Sequence, residues 1–280
     1  MIHIKRNKHV LVIVLCIIIM FTSFIRIGGE IKFRYSLDLV LQTCTEVDLK
    51  KIKKFCFLKK LNIQQLESEK LNLITNDSLK ELVIITSTNN NAYLNLKEFS
   101  KLESFYSVGL DFADLSYFAS MKKLKNLYLG FGYEKNRIKS SESFESLPVS
   151  LEHICFNGLE DTESLDFSNL KNLQTLYVSR SSLSNVYVDN PKLEGISLKN
   201  NSSLKNINIS ENTANLKKIY IIDCPNLMLD IGELKRLSSL QYIYLNNELL
   251  TDTDIDALSD CGIVVDNETC RRDNDEKEKR

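Results

Sequence analysis

The sequence LQTLYVSRSSLSNVYVDNPKLEGISLKNN occupies residues 173–201 and contains the phrase Leu-x-x-Leu-x-Leu twice, at Leu173 and at Leu193. The same phrase recurs along most of the chain at spacings of 20 to 27 residues. Its nine copies begin at Leu58, Leu79, Leu102, Leu124, Leu151, Leu173, Leu193, Leu216 and Leu240. A period of this length indicates a repeat architecture, in which each unit buries its apolar face by stacking on its neighbours.

The first, fourth and sixth positions of each phrase are mostly apolar, as in Leu193, Ile196 and Leu198. Alternation of this kind predicts a short strand whose apolar side chains point into the core. One sixth position departs from the pattern, because Ser107 stands where an apolar residue is expected. The ninth position holds Asn201 in one unit and Cys224 in the next, but other units place unrelated residues there, such as Leu66, Ser87, Leu110, Gly132, Leu159, Ser181 and Glu248.

This pattern resembles the leucine-rich repeat family, whose phrase is Leu-x-x-Leu-x-Leu-x-x-Asn/Cys, over roughly residues 58–261. The resemblance implies an α/β fold: a solenoid with a concave parallel β-sheet of about nine strands. Its convex side would combine short strands, helices and irregular segments. In this family the ninth side chain bonds the backbone of the turn, so the poorly kept ninth position implies irregular turns here. The chain is also similar to bacterial surface proteins of the internalin-like kind.

The segments between the phrases carry their own patterns. LSNVYV from Leu183 and LKNINI from Leu204 alternate with period two, which predicts short convex strands. IGELKRLSSL from Ile231 is helical in character, and Thr251 is placed to cap a short helix that ends near residues 261–262. The residues IVVD from Ile263 predict a terminal strand that covers the open edge of the sheet.

The organisation of the chain follows from the repeats and from one apolar segment. Val10–Ile25 contains sixteen uncharged residues after a basic leader, and as a helix it would span about 24 Å, against a hydrocarbon core of ~30 Å. We favour an uncleaved membrane anchor with the repeats outside the cytoplasm, at the cell surface; a cleaved signal segment would make the protein secreted. The predicted divisions are a basic leader at 1–9, the transmembrane anchor or signal segment at 10–25, an N-terminal cap at 26–57, leucine-rich repeats at 58–262, and a terminal edge strand with a charged tail at 263–280.

The fifth position of the phrase carries the strongest functional signal. Five of its nine residues are Tyr, and parallel strands in register would place them in one row on the concave face, about 4.8 Å apart. Tyr combines a large contact area with a polar tip, which suits a binding surface, although packing between strands would explain the row equally well. The predicted ligand-binding residues are Tyr106, Tyr128, Tyr177, Tyr220 and Tyr244, with Arg180 and Lys199 beside them.

Other kinds of chemistry find little support. The net charge of −1 gives no reason to expect nucleic-acid binding, and no phosphate-binding glycine loop or cofactor motif is present. His153 is the only His beyond the leader, and no nucleophile is identified beside it, so a hydrolase is the least favoured function. The acids at Asp252, Asp254 and Asp256 imitate a calcium loop, but Ala257 replaces the required Gly, so no metal site is expected.

Six of the seven Cys lie beyond the apolar segment, and an even number in an exported chain permits disulfides. Local pairs between Cys44 and Cys56 and between Cys261 and Cys270 would support the two ends of the array.

The sequence therefore predicts a non-catalytic, membrane-tethered recognition module that binds a protein or glycan on its concave face. The alternative is a structural scaffold that organises envelope proteins through its convex side or its ends.

Overall fold

A computed structural model describes residues 38–42, 49–50, 52, 58–66, 68–91, 99–111, 115–130, 141–159, 162–246 and 249–267. The leader 1–9, the apolar segment 10–25 and residues 268–280 lie outside these ranges, as does most of the predicted cap at 26–57. Among the described residues, no helix is both long enough and apolar enough to cross a lipid bilayer.

Within the described ranges, fourteen strands alternate with short helices and turns. In chain order they are β1 (Asp38–Leu41), β2 (Lys60–Gln64), β3 (Glu81–Asn91), β4 (Ser104–Asp111), β5 (Asn126–Gly130), β6 (His153–Asn157), β7 (Ser164–Asp166), β8 (Thr175–Ser179), β9 (Asn185–Val188), β10 (Gly195–Lys199), β11 (Asn206–Ile209), β12 (Lys218–Ile222), β13 (Tyr242–Leu245) and β14 (Val264–Asn267). Among the helices of the described ranges are the 3₁₀ helices Ser68–Leu73, Leu115–Ser120 and Ser141–Ser146 and, towards the carboxyl end, the α-helices α1 (Ile231–Arg236) and α2 (Asp252–Ser259).

One long sheet contains eleven parallel strands in the order β1-β2-β3-β4-β5-β6-β8-β10-β12-β13-β14. Every predicted phrase forms one of these strands, and β1 and β14 extend the sheet by one strand at each end. The predicted leucine-rich repeat solenoid is therefore confirmed. The exposed side of this long sheet is called the concave face below.

The core is continuous because each unit buries its apolar positions against the next. In the unit from Leu193, the side chains of Leu193, Ile196 and Leu198 are almost completely inaccessible to solvent, and the register aligns Ile196 with Leu176 on one side and Ile219 on the other. Full burial of such a side chain contributes about 1.5–3 kcal/mol, so rows of them hold neighbouring units together.

A smaller sheet forms on the opposite side of the solenoid, with three parallel strands in the order β11-β9-β7. The convex strands predicted from Leu183 and Leu204 are confirmed as β9 and β11. The sequence did not predict β7, which has only three residues and so offers little alternation to recognise.

The carboxyl-terminal elements also match the predictions. Helix α1 covers the first part of IGELKRLSSL, and α2 begins after Thr251, whose side chain and that of Asp254 form a reciprocal capping box. Gly262 then adopts a φ of +80°, a conformation that favours glycine, and the chain enters β14, which pairs with β13 at the edge of the sheet.

The turns after β8, β10 and β12 are stabilised by a polar ladder that the sequence predicted only in part. Asn201 is fully buried; its side chain donates to the Val178 carbonyl at 3.0 Å and accepts from the Ser181 N–H at 3.0 Å. Cys224, at the same position of the following unit, donates to the Leu198 carbonyl of the preceding unit. The interpretation of Ser181 as a departure was wrong, because its hydroxyl accepts from the Leu159 N–H and donates to the Ser179 carbonyl.

Candidate functional site

The fifth positions of the phrases form one row on the concave face. The strand register joins Asn62, Val83, Tyr106, Tyr128, Cys155, Tyr177, Ser197, Tyr220 and Tyr244 as successive neighbours. All nine are half-buried, whereas the residues on either side of each are nearly always fully buried. The structure therefore brings the five predicted tyrosines together in one row with partly accessible side chains.

The rings in this row contact one another at two places. The centroids of Tyr106 and Tyr128 are 6.2 Å apart, and those of Tyr220 and Tyr244 are 6.3 Å apart. Tyr242, which lies two residues before Tyr244 on β13, approaches Tyr220 to 5.8 Å. These separations lie within the range of favourable aromatic pairs. Tyr242 is not among the predicted binding residues, although its place at the third position of a phrase puts it on the same face as the row.

The middle of the row is different. Tyr177 lies between Cys155 and Ser197 and makes no ring contact with any other described residue. We call the exposed rings of Tyr106, Tyr128, Tyr177, Tyr220, Tyr242 and Tyr244 the tyrosine face. It consists of one pair, one isolated ring and one group of three.

Gly130 makes room for one of these rings. A Cβ atom built on Gly130 would lie 2.0 Å from the Tyr128 ring, so the ring extends along the strand over the glycine. Burial raises the pKa of the Tyr128 hydroxyl. Burial also raises the pKa of the neighbouring Cys155 thiol to about 12, against a smaller opposing effect of a hydrogen bond with Tyr128. Both groups are therefore protonated at neutral pH, and Cys155 is a poor nucleophile.

Charges at the second position of the phrases largely pair across adjacent strands. Lys80 contacts Glu103 at 2.6 Å, and its hydrogen bond is the main cause of the lowered pKa of Glu103. Two further pairs join Lys125 to Glu152 at 2.7 Å and Lys217 to Glu194 at 3.1 Å. Exposed pairs of this kind contribute little to stability, but they neutralise most of the charge along this margin of the concave face.

Arg180 and Lys199, the two predicted basic residues, lie at the end of adjacent strands. Arg180 follows β8 directly, and its N–H donates to the Lys199 carbonyl at 2.9 Å. Lys199 is the last residue of β10, on the same face as Tyr177, and Lys218 begins β12. Within the described part of the chain, none of these three basic side chains pairs with a carboxylate. These three residues are the basic side chains beside the tyrosine face.

Arg180 also has an uncommon backbone conformation. Its φ is 52°, and Gln65, Asn200 and Asp223 occupy equivalent positions with φ between 52° and 55°. Gly109 and Gly158 take the same place in other units. The left-handed conformation suits Gly, Asn and Asp, whereas a residue such as Arg loses about 1 kcal/mol there. Local backbone preference therefore does not account for arginine at this position.

The remaining predicted features show no catalytic arrangement in the described part of the chain. His153 is half-buried, and its Nδ1 lies 2.8 Å from the Thr175 hydroxyl. No group of three or more His, Cys, Asp or Glu side chains among the described residues could hold a metal ion. Cys155, Cys224 and Cys261 form no disulfide with one another or with any other described residue, and Cys261 is exposed. Cys44, Cys56 and Cys270 lie outside the described residues, so the two disulfides stay predictions.

The side of the solenoid opposite the concave face, called the return side below, carries a second surface feature. An open cleft of about 420 Å³ lies beside β7, β9 and β11, with Tyr187, Asp166, Asp189 and Glu233 among its lining residues. Lys171 donates to Asp189 at 2.9 Å and lowers its pKa to about 2. Lys171 offsets the charge of Asp189, so the acidic character of the cleft comes from Asp166 and Glu233, which have no cationic partner among the described residues.

Comparison with solved structures returns leucine-rich repeat proteins. The leucine-rich repeat domain of the type III effector XopL is 18% identical, with a TM-score of 0.53 over 95% of this chain and 85% of that one. A chain in the octameric complex of latrophilin 3, Unc5D and FLRT2 is 19% identical, with a TM-score of 0.51 over 85% of this chain and 86% of that one. An internalin from Listeria monocytogenes is 15% identical, with a TM-score of 0.42 over 82% of this chain and 79% of that one.

At these identities the likeness concerns the fold. No protein-family profile matches the chain, and no curated protein sequence matches it.

Proposed function

We propose that this protein is a non-catalytic recognition module that binds a protein partner through the tyrosine face. The observation that carries the proposal is the single row of half-buried tyrosines on the exposed side of an eleven-stranded sheet. Tyr is enriched where proteins bind each other, because a ring with few rotatable bonds gives a large contact area at a small cost in entropy.

Packing between strands explains only part of the row. The Tyr106–Tyr128 pair and the group around Tyr220 stabilise the sheet through ring contacts. Tyr177 has no such neighbour among the described residues, and it lies next to the unpaired basic residues. An isolated, partly exposed ring next to basic side chains is better suited to a binding surface than to sheet packing.

The comparisons support a protein partner at the level of the fold. One of the matched structures is a complex of latrophilin 3, Unc5D and the leucine-rich repeats of FLRT2. A curved parallel sheet is a rigid surface that is formed before the partner arrives, so binding costs little ordering. The apolar segment at 10–25 supports placing this surface outside the cytoplasm, either tethered to the membrane or secreted.

The proposal is tested with the purified full chain, immobilised and exposed to a panel of extracellular proteins and glycans. We expect Tyr128→Ala combined with Tyr177→Ala to abolish capture of the partner while the thermal unfolding midpoint stays within a few degrees. Tyr187→Ala is the matched control, because Tyr187 is an exposed tyrosine, 43% accessible, on the opposite side of the solenoid. Capture that survives the double variant would contradict the proposal.

The alternative is a scaffold that contacts envelope proteins through its return side. The acidic cleft around Tyr187 is the observation that favours it. In that case Tyr187→Ala would abolish capture, and the double variant on the concave face would leave it unchanged. If the tyrosine face captured glycans and no protein, the ligand would be a carbohydrate instead of a protein.

A further inference from the structure

The row of fifth positions has a gap at β10. Tyr177 on β8 and Tyr220 on β12 lie on either side of Ser197, which replaces the large side chain of its neighbours. Gly195, two residues earlier on the same face, leaves open space, because a Cβ atom built on it would have no heavy atom within 4 Å. We call this space the notch: Gly195 and Ser197 form its floor, and Tyr177 and Tyr220 form its walls.

The notch has the width of one missing ring. Neighbouring parallel strands are about 4.8 Å apart, so the strands that carry Tyr177 and Tyr220 are separated by about 10 Å. Where adjacent strands both carry Tyr, the ring centroids are 6.2 and 6.3 Å apart. One planar ring placed above Ser197 would therefore lie at contact distance from Tyr177 on one side and Tyr220 on the other.

The margin of the notch is positively charged. Lys218 is the register neighbour of Gly195, and Lys199 follows Ser197 by two residues on the same face. Arg180 lies at the end of the adjacent strand β8. The carboxylates closest to this region in the register are already engaged. Glu194 pairs with Lys217 at 3.1 Å, and Asp223, which keeps its negative charge, accepts a hydrogen bond from the Asn246 side chain at 2.8 Å. Three basic side chains therefore face one carboxylate that has no cationic partner among the described residues.

We propose that the notch binds an aromatic side chain of the protein partner that is flanked in the partner's sequence by Asp or Glu. This inference rests on the proposed function and specifies the chemistry of its partner. The aromatic ring fills the gap between the two tyrosines, where it also lies within reach of the cation–π attraction of the surrounding lysines. The flanking carboxylates pair with Lys199 and Lys218, which lie at the two ends of the notch.

The absence of Trp from the chain allows a direct measurement. The probe is the peptide acetyl-Asp-Trp-Asp-amide, whose fluorescence anisotropy is followed with selective excitation of Trp as full-length protein is added. The comparison peptide is acetyl-Lys-Trp-Lys-amide. We expect the acidic peptide to bind at least tenfold more tightly than the basic one, with a difference that shrinks as salt is raised. Equal binding of the two peptides would overturn the proposal.

Two variants locate the binding in the notch. Gly195→Val fills the space, and it does so without harm to the fold because a Cβ atom at this position would have no heavy atom within 4 Å and Val favours a strand. We expect it to weaken binding of the acidic peptide at least tenfold with an unchanged or higher unfolding midpoint. Asn126→Val, at the same phrase position three strands away on β5, is the matched control and should bind like the parent protein. Unchanged binding to Gly195→Val would overturn the proposal.

Charge is tested separately, with Lys199→Gln combined with Lys218→Gln. This pair of changes should remove the preference for the acidic over the basic peptide and keep the fold intact. A heparin-derived tetrasaccharide that binds at the notch more tightly than the acidic peptide would overturn the proposal in favour of an anionic glycan.

The outcome can be separated from that of the proposed function by using a captured protein partner. If Tyr128→Ala with Tyr177→Ala abolishes its capture but Gly195→Val does not, the tyrosine face binds the partner and the notch inference fails. If neither change affects capture, both fail. Loss of capture with Gly195→Val, and retention with Asn126→Val, supports both.

Discussion

Ser107 is a polar residue at a position of the repeat where an apolar residue is expected. It lies at a sixth position, between Ile84 and Leu129 in the register, and its side chain is completely buried. Its hydroxyl oxygen has no hydrogen-bond partner in the described part of the chain. A buried hydroxyl without a partner costs about 1–3 kcal/mol relative to an apolar group of similar size.

We therefore expect Ser107→Ala to stabilise the protein by about 1 kcal/mol, because it removes the unpaired hydroxyl and leaves the packing volume nearly unchanged. The measurement is urea-induced unfolding followed by circular dichroism. Ser197→Ala is the control, since Ser197 lies in the same kind of strand but is partly exposed to water, and its substitution should have little effect. A lower midpoint for Ser107→Ala would show that its hydroxyl has a partner outside the described residues.

The turns after the strands show which local elements the sequence could and could not predict. Asn201 and Cys224 were predicted from the repeat phrase, and both are buried and bonded to the backbone of the neighbouring unit. Ser181 was not, because a hydroxyl reaches the same backbone groups with a different set of bonds. The return strands followed from period-two alternation, except for β7, which is too short to show a period.

At this scale we expect Asn201→Ala to destabilise the solenoid by about 2–4 kcal/mol, because it leaves both the Val178 carbonyl and the Ser181 N–H buried without their partner. Cys224→Ala should cost less, since a thiol is a weak donor. The free energies of unfolding of the two variants, measured side by side, test this order. A smaller loss for Asn201→Ala than for Cys224→Ala would contradict the assignment of Asn201 as the central member of the ladder.

Across the whole molecule, the repeat predicted more of the fold than of the function. Nine phrases predicted the strands and the row of fifth positions, because the register of a parallel stack follows directly from a constant phrase. The notch could not be predicted in the same way. Its walls, floor and basic margin come from three phrases, which begin at Leu173, Leu193 and Leu216. The space depends on the small residues Gly195 and Ser197 as much as on the tyrosines and basic residues around them. A period detects regular positions, whereas the proposed notch lies where the regularity fails.

The continuous core has a consequence for how the molecule unfolds. Buried residues extend without a break from Leu39 in β1 to Ile263 beside β14, and each unit is stabilised mainly by its two neighbours. Leu198→Ala, near the middle of the stack, should cost about 2–5 kcal/mol through the lost burial and the cavity that it leaves. A central unit packs against both halves of the stack. We therefore expect Leu198→Ala to lower the protection of backbone amides against hydrogen exchange at both ends of the stack together.

Hydrogen exchange with site resolution measures this coupling. Amides of β4 and of β13 should lose protection in parallel in Leu198→Ala, whereas Ile243→Ala, near the carboxyl-terminal edge, should affect β13 and leave β4 protected. Unequal loss on the two sides of Leu198 would mean that the stack consists of two units that unfold separately. The tyrosine face would then cross their boundary, because Tyr106 and Tyr128 lie on one side of β10 and Tyr220 and Tyr244 on the other. Parallel loss would show instead that the notch is held by one cooperative body, as a rigid binding surface requires.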